Sequence, residues 1–183
     1  MIPSILRPAA LIARRQYVAT MFQVMGHALE AISRTDDKVR KEARELPLGF
    51  IFEMTVLPAG PSLRVKHLGD GELAYLAGDV APETINLSIR FKHIAHAFLV
   101  LSFQEQTAVA FANDRMLVNG DISYAVRMTR ILNRLESFIL PKVIASRAVK
   151  EYPVDLPLFE KLTGALRIYR RVALSLVKEL NPL

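Results

Sequence analysis

Apolar positions along the chain first recur with a helical period. Leu11, Ile12, Val18, Met21, Phe22, Met25, Leu29 and Ile32 fall on one stripe, with Arg14, Arg15, Gln23, Glu30 and Ser33 on the other side. That spacing predicts a long first helix, with Pro8 in its first turn where a missing N–H costs nothing. Residues 34–46 are charge-dense and read as a solvated linker or a short surface helix. The period then changes to two. Phe50, Phe52, Met54 and Val56 alternate with Ile51, Glu53, Thr55 and Leu57, which predicts a strand with one apolar face. Pro58-Ala59-Gly60-Pro61 is a turn, and Leu63, Val65 and His67 alternate with Arg64 and Lys66 to complete a hairpin. Gly69-Asp70-Gly71 is a second turn, followed by a third strand over 72–77. A fourth strand places Ile85, Leu87, Ile89 and Phe91 inward and Asn86, Ser88 and Arg90 outward.

From 92 to 113 the chain stays apolar without a strand period. Ile94, Ala97, Phe98 and Leu101 make a helical face, and Leu99, Val100 and Phe103 leave it apolar nearly all round. A second short helix is predicted over 107–112 and a fifth strand over 115–119. The turn at Asn119-Gly120-Asp121 can also cap the next helix. That long helix, over 122–140, turns Ala125, Met128, Leu132, Leu135 and Ile139 to the core and Arg127, Arg130 and Arg134 to another face. Beyond Pro141, Asp155 and Pro157 open a terminal amphipathic helix whose polar side is crowded with Lys161, Arg167, Arg170, Arg171 and Lys178. Strands are bunched rather than alternated with long helices, so the fold class expected is α+β. Three regions are expected: an N-terminal helix and charged linker over 1–46, a domain over 47–140, and a basic helical extension over 141–183.

Composition narrows the function. Half of the 183 residues are apolar (51%), 23% are charged, and the mean hydropathy is +0.23, which excludes a disordered chain. The longest stretch without Asp, Glu, Lys or Arg, 16–29, is too short for a bilayer crossing, which needs about 20 apolar residues. No cysteine is present, so disulfides, a thiolate nucleophile and Cys-ligated zinc are excluded. The Arg14-Arg15 pair lacks the uninterrupted apolar run and cleavage site of an export signal, and a cytoplasmic location, peripheral at the inner membrane, is expected. Residues 1–126 balance acidic against basic side chains, so the whole net charge of +6 lies in 127–183. That asymmetry fits an anionic partner such as phospholipid headgroups, or else a solvated basic face.

Catalytic patterns are missing. His93 and His96, at i and i+3 in HIAH, lack a third ligand at metal spacing, and His67 and His27 read as structural. The nearest approach to a nucleophile elbow, Gly60-Pro61-Ser62-Leu63-Arg64, has no second glycine. Neither phosphate-cradling glycine motif is present. The regularly placed arginines are interleaved with core leucines and valines, without tryptophan or base-reading partners, so nucleic acid is not expected. No enzyme activity and no cofactor or metal are expected.

The stretches TINLSIRF (84–91), HIAHAFLVL (93–101), AVAFAND (108–114) and RMLVNGD (115–121), followed by a helix beginning ISYAVRM, resemble the sterol carrier protein type 2 domain, also called the lipid-carrier domain. The resemblance spans about 50–140. Two glycines usual in that family are replaced here, one near Ser102-Phe103 and one by Asp114, and Glu83 stands for an acidic residue usual at the fourth strand. The resemblance implies a five-stranded sheet covered by helices, with an apolar tunnel between them that holds lipid tails. On this basis Phe91, Ile94, Phe98, Leu101, Phe111, Met116, Val118, Met128 and Leu132 are expected to line the tunnel. Arg127, Arg130, Arg134, Arg167, Arg170 and Arg171 are the expected membrane or anion contacts. The implied function is a non-catalytic carrier of an acyl, sterol-like or polyprenyl ligand, with a quinone precursor among the last, docking reversibly on membranes. A partner protein or a homodimer is open, as is the alternative of an interaction module acting through its terminal helices without lipid.

Overall fold

The computed structural model describes residues 6–78 and 80–139. In chain order these form α1 (Leu6–Ser33), α2 (Asp37–Arg44), β1 (Ile51–Val56), β2 (Ser62–Gly69), β3 (Glu72–Tyr75), a 3-10 turn (Pro82–Thr84), β4 (Leu87–Phe91), α3 (Ile94–Leu101), α4 (Thr107–Ala112), β5 (Met116–Gly120) and α5 (Ile122–Ile139). The α+β class and the single sheet of five strands agree with the sequence. The strand order is β3-β2-β1-β4-β5. β1, β2 and β3 form an antiparallel meander, and the connection over 76–86 carries the chain back to lay β4 parallel to β1. β5 then closes the far edge antiparallel to β4.

Register decides which side chains share a face. Phe52 lies opposite Val65 and Leu87, Met54 opposite Leu63 and Ile89, and Val56 beside Phe91. Ile89 in turn faces Val118, and Phe91 faces Met116. Because side chains alternate along a strand, these residues form one apolar sheet face. The opposite face is polar. There Glu53 accepts from Arg64 Nε at 2.8 Å, and Arg64 Nη1 donates to the Gly78 carbonyl of the returning connection, also at 2.8 Å.

Helices cover the apolar face. α1 approaches closest at Gly26, where a Cβ would overlap the Tyr75 ring and come within 2.9 Å of Leu63 Cδ1. The next residue of α1, His27, lies against Tyr75, with ring centroids 4.7 Å apart. Tyr124 of α5 meets Phe50, the residue before β1, edge-on at 5.1 Å. Val18, Phe22, Leu29 and Ile32 of α1 and Val39 and Ala43 of α2 belong to the same core as the sheet. The apolar stripe of α1 therefore supplies part of the layer over the sheet. The extension over 141–183 lies outside the described residues.

Candidate apolar ligand site

The candidate site is the space between the apolar sheet face and its helices at the β4–β5 end. β4 exists because Leu87, Ile89 and Phe91 alternate with polar residues, and its parallel pairing to β1 holds those three beside Phe52, Met54 and Val56. α3 follows β4 directly. His93 caps it, with Nδ1 accepting from the Ala95 N–H at 3.2 Å, and Ile94, Ala97, Val100 and Leu101 are buried. Tyr17 of α1 ties the two helices together. Its hydroxyl donates to the Leu101 carbonyl at 3.2 Å, and its ring meets Phe98 edge-on at 5.2 Å. The Arg14 guanidinium lies over the same Phe98 ring, 5.5 Å from its centroid.

Seven of the nine expected lining residues belong to the packed core or lie against it. Phe91, Ile94, Leu101, Met116, Met128 and Leu132 are buried, and Phe98 is partly buried against the core. Two are placed otherwise. Phe111 is 57% exposed, because a helix of six residues packed by one turn buries only Ala110. Its place in the lining is corrected. Val118 shares the apolar face but lies on the edge strand, where it stays 41% exposed.

Closure of the face is uneven. Met54 and Phe91 are buried, whereas Ile89, between them on the same face and in a strand paired on both sides, is only partly buried. Val118, its neighbour on β5, is open. Among the described residues, this face is thus fully buried along β1 and β2 and only partly buried at the middle of β4 and β5. Met21 and Met25 of α1 and Ala125 of α5 are also only partly buried against the core. The two methionines of α1 belong to an apolar stripe that is legible in the sequence.

The arginines of α5 are placed differently from expectation. Arg134 donates from Nη2 and Nε to Asp36 Oδ2 at 2.8 and 3.0 Å. Arg127 pairs with Glu42 at 3.4 Å and Glu45 at 3.6 Å, and Arg130 with Glu42 at 3.2 Å. Their stripe faces the acidic side of α2, with the Arg130 side chain still 61% exposed. α2 is fixed from its other side as well, by Arg40 and Arg44 on Asp70 in the β2–β3 turn. Those two guanidiniums hold the Asp70 carboxyl below its ordinary range. Arg167, Arg170 and Arg171 lie outside the described residues.

His93 and His96 have ring centroids 6.1 Å apart, and no cluster of three metal-ligating side chains occurs among the described residues. His67 is structural: Nδ1 meets the Pro47 carbonyl at 3.0 Å, and Nε2 accepts from the Gly71 N–H at 3.1 Å. Among the described residues, the strongly shifted carboxyl is Glu136 on α5, pushed up to about 7 by burial. No described helix is long and apolar enough to cross a membrane.

The chain is similar to sterol carrier protein type 2 domains. Among solved structures, a ubiquinone synthesis protein titled UbiJ-SCP2 is 12% identical, covering 71% of this chain and 98% of its own, with a TM-score of 0.39. Sterol Carrier Protein 2 from Yarrowia lipolytica, in its apo form, is 16% identical over 58% of this chain and 88% of its own, with a TM-score of 0.40. Sterol Carrier Protein-2 like-3 from Aedes aegypti is 14% identical over 53% and 92%, with a TM-score of 0.30. No family profile matches the sequence, and no curated protein matches it.

Proposed function

We propose that this protein is a non-catalytic carrier of an apolar ligand held between the β4–β5 end of the sheet and the helices. One observation supports the reading most strongly: Ile89, on the helix-facing side of an interior strand, is incompletely covered, and Val118 beside it is open. An interior strand face left uncovered exposes apolar area that a ligand tail would fill. Phe91, Ile94, Phe98, Leu101, Met116, Met128 and Leu132 are the walls of that space in this reading, with Ile89 and Val118 at its open side.

The energetics suit a carrier. Each buried methylene contributes about 0.8 kcal/mol, so enclosing eight to ten carbons gains roughly 6–8 kcal/mol before the cost of ordering the tail. An affinity of that order competes with a bilayer without trapping the ligand. Acyl, sterol-like and polyprenyl chains all fit the chemistry, and a quinone precursor is one of the last class.

Reversible docking on an anionic membrane completes the reading. Of the described surfaces, the start of α1 suits it best: Leu11 and Ile12 are exposed next to Arg14 and Arg15, and α1 has no acidic residue before Glu30. Arg167, Arg170 and Arg171 would add to this attraction. Native mass spectrometry of gently purified protein, followed by organic extraction, tests the proposal. A stoichiometric apolar adduct is expected. Repeatedly empty protein that takes up neither fatty acid nor quinone contradicts it and favours the interaction-module alternative.

A further inference from the structure

We propose that β5 is a self-pairing edge, through which two copies of this chain join their sheets about a two-fold axis at Val118 and close the open side of the ligand space. The proposal rests on the carrier reading for its purpose, but its geometry stands separately. Lys92 N–H donates to the Arg115 carbonyl at 3.0 Å, which marks 92 and 115 as a hydrogen-bonded antiparallel pair. Bonded pairs alternate along such a ladder, so Met116 and Val118 direct their backbone N–H and C=O groups away from β4, toward the free edge. Consistent with this, Phe91, opposite Met116, turns its carbonyl the other way to accept from Leu57 N–H at 2.9 Å.

No residue of the strand itself blunts that edge. The strand reads Met116-Leu117-Val118-Asn119-Gly120, without charge or proline, and Leu117 and Val118 are exposed on opposite faces. Exposed, uncharged edges are templates for a further strand. A two-fold through Val118 sets Val118 against Val118 of the second copy, Met116 against Gly120, and Leu117 against Asn119. The next position places Arg115 opposite Asp121 at both ends of the joint. Asp121 is ionised, since its hydrogen bonds with Ser123 lower its pKa, and Arg115 is already aligned by Glu105 at 2.7 Å. Opposite charges therefore meet twice across the joint. An anionic bilayer fits this edge less well, because exposed Asp114 and Asp121 flank the strand. Val118 of the second copy would lie on the apolar face beside Ile89 and Val118, where the single chain is open.

The absence of cysteine from the chain allows a clean test. Val118→Cys in the full chain should form a covalent dimer with a short bismaleimide, while Leu68→Cys, exposed on β2, should not. Light scattering over a concentration series should show a wild-type dimer. Val118→Pro removes only an outward N–H and should weaken it at least about tenfold through two lost hydrogen bonds. Asp121→Asn keeps the cap on Ser123 and should weaken it severalfold. A wild-type monomer at all concentrations, as when the chain's own 141–183 region covers the edge, overturns the proposal. So does a dimer indifferent to both variants. Apolar adducts in the mass spectrum are read independently, so loss of the dimer and loss of the ligand are distinguishable.

Discussion

Arg134 and Asp36 are joined through a single carboxylate oxygen while the other oxygen of Asp36 caps a helix. Oδ2 accepts from both Nε and Nη2 of Arg134, and Oδ1 accepts from the Val39 N–H at 2.9 Å at the start of α2. The pair lies between a surface bridge and a fully buried one, with side chains 14% and 10% exposed. Replacing Arg134 by Met should destabilise the protein by about 1–3 kcal/mol in urea unfolding. Asp36→Asn, which keeps the cap, should cost about 1 kcal/mol less than Asp36→Ala. Equal losses for the two Asp36 variants would contradict the dual role.

That relationship also shows where sequence reading stops. The alternation of Leu87, Ile89 and Phe91 specified β4 and its buried face, and the stripe of α1 specified which side of that helix packs. Both signals are local periods. The charges over 34–46 looked solvated because their partners on α5 lie far along the chain, and no spacing rule connects Asp36 to Arg134. Phe111 looked internal because its whole segment is apolar, but a helix of six residues has one packed side and Ala110 occupies it. The open side of the candidate site was likewise illegible, since coverage of Ile89 depends on how far helices reach, not on residue type.

Two replacements separate the interior from the surface. Phe91 is fully buried, and Phe91→Ala should cost about 3–5 kcal/mol. Phe111→Ala should stay within about 0.5 kcal/mol. Thermal or urea unfolding measures both, and a large loss at Phe111 would mean that α4 packs on its other side.

Left-handed backbone at two residues other than glycine gives a further prediction. Phe103 and Asp114 adopt φ of +58° and +55°. A β-carbon in that region costs about 1–2 kcal/mol, less for Asp than for Phe. Phe103→Gly should therefore raise stability by up to about 1 kcal/mol despite a more flexible unfolded chain. A clear drop in melting temperature would show that packing of the ring outweighs the strain.

Glu136 gives the pH dependence. Its folded pKa is raised by burial from 4.5 to about 7, so the folded state holds this proton more tightly than the unfolded one. The contribution is intact below about pH 4.5 and is lost as pH rises through 7. Glu136→Gln should accordingly gain stability on the wild type above neutral pH, by up to about 3 kcal/mol, and the gain should vanish in acid. Unfolding curves at pH 5 and pH 8, roughly either side of the raised value, measure the difference. A constant offset between variant and wild type at both would contradict the burial account.

In the proposed carrier the helices leave apolar sheet surface for a ligand at Ile89, and titration with a fluorescent fatty acid reads out whether that surface is used. The wild type should bind one chain per protomer, and Ile89→Trp, which fills the space with its own ring, should abolish uptake while the protein stays folded. Binding by the tryptophan variant equal to wild type, or no binding by either, would contradict it.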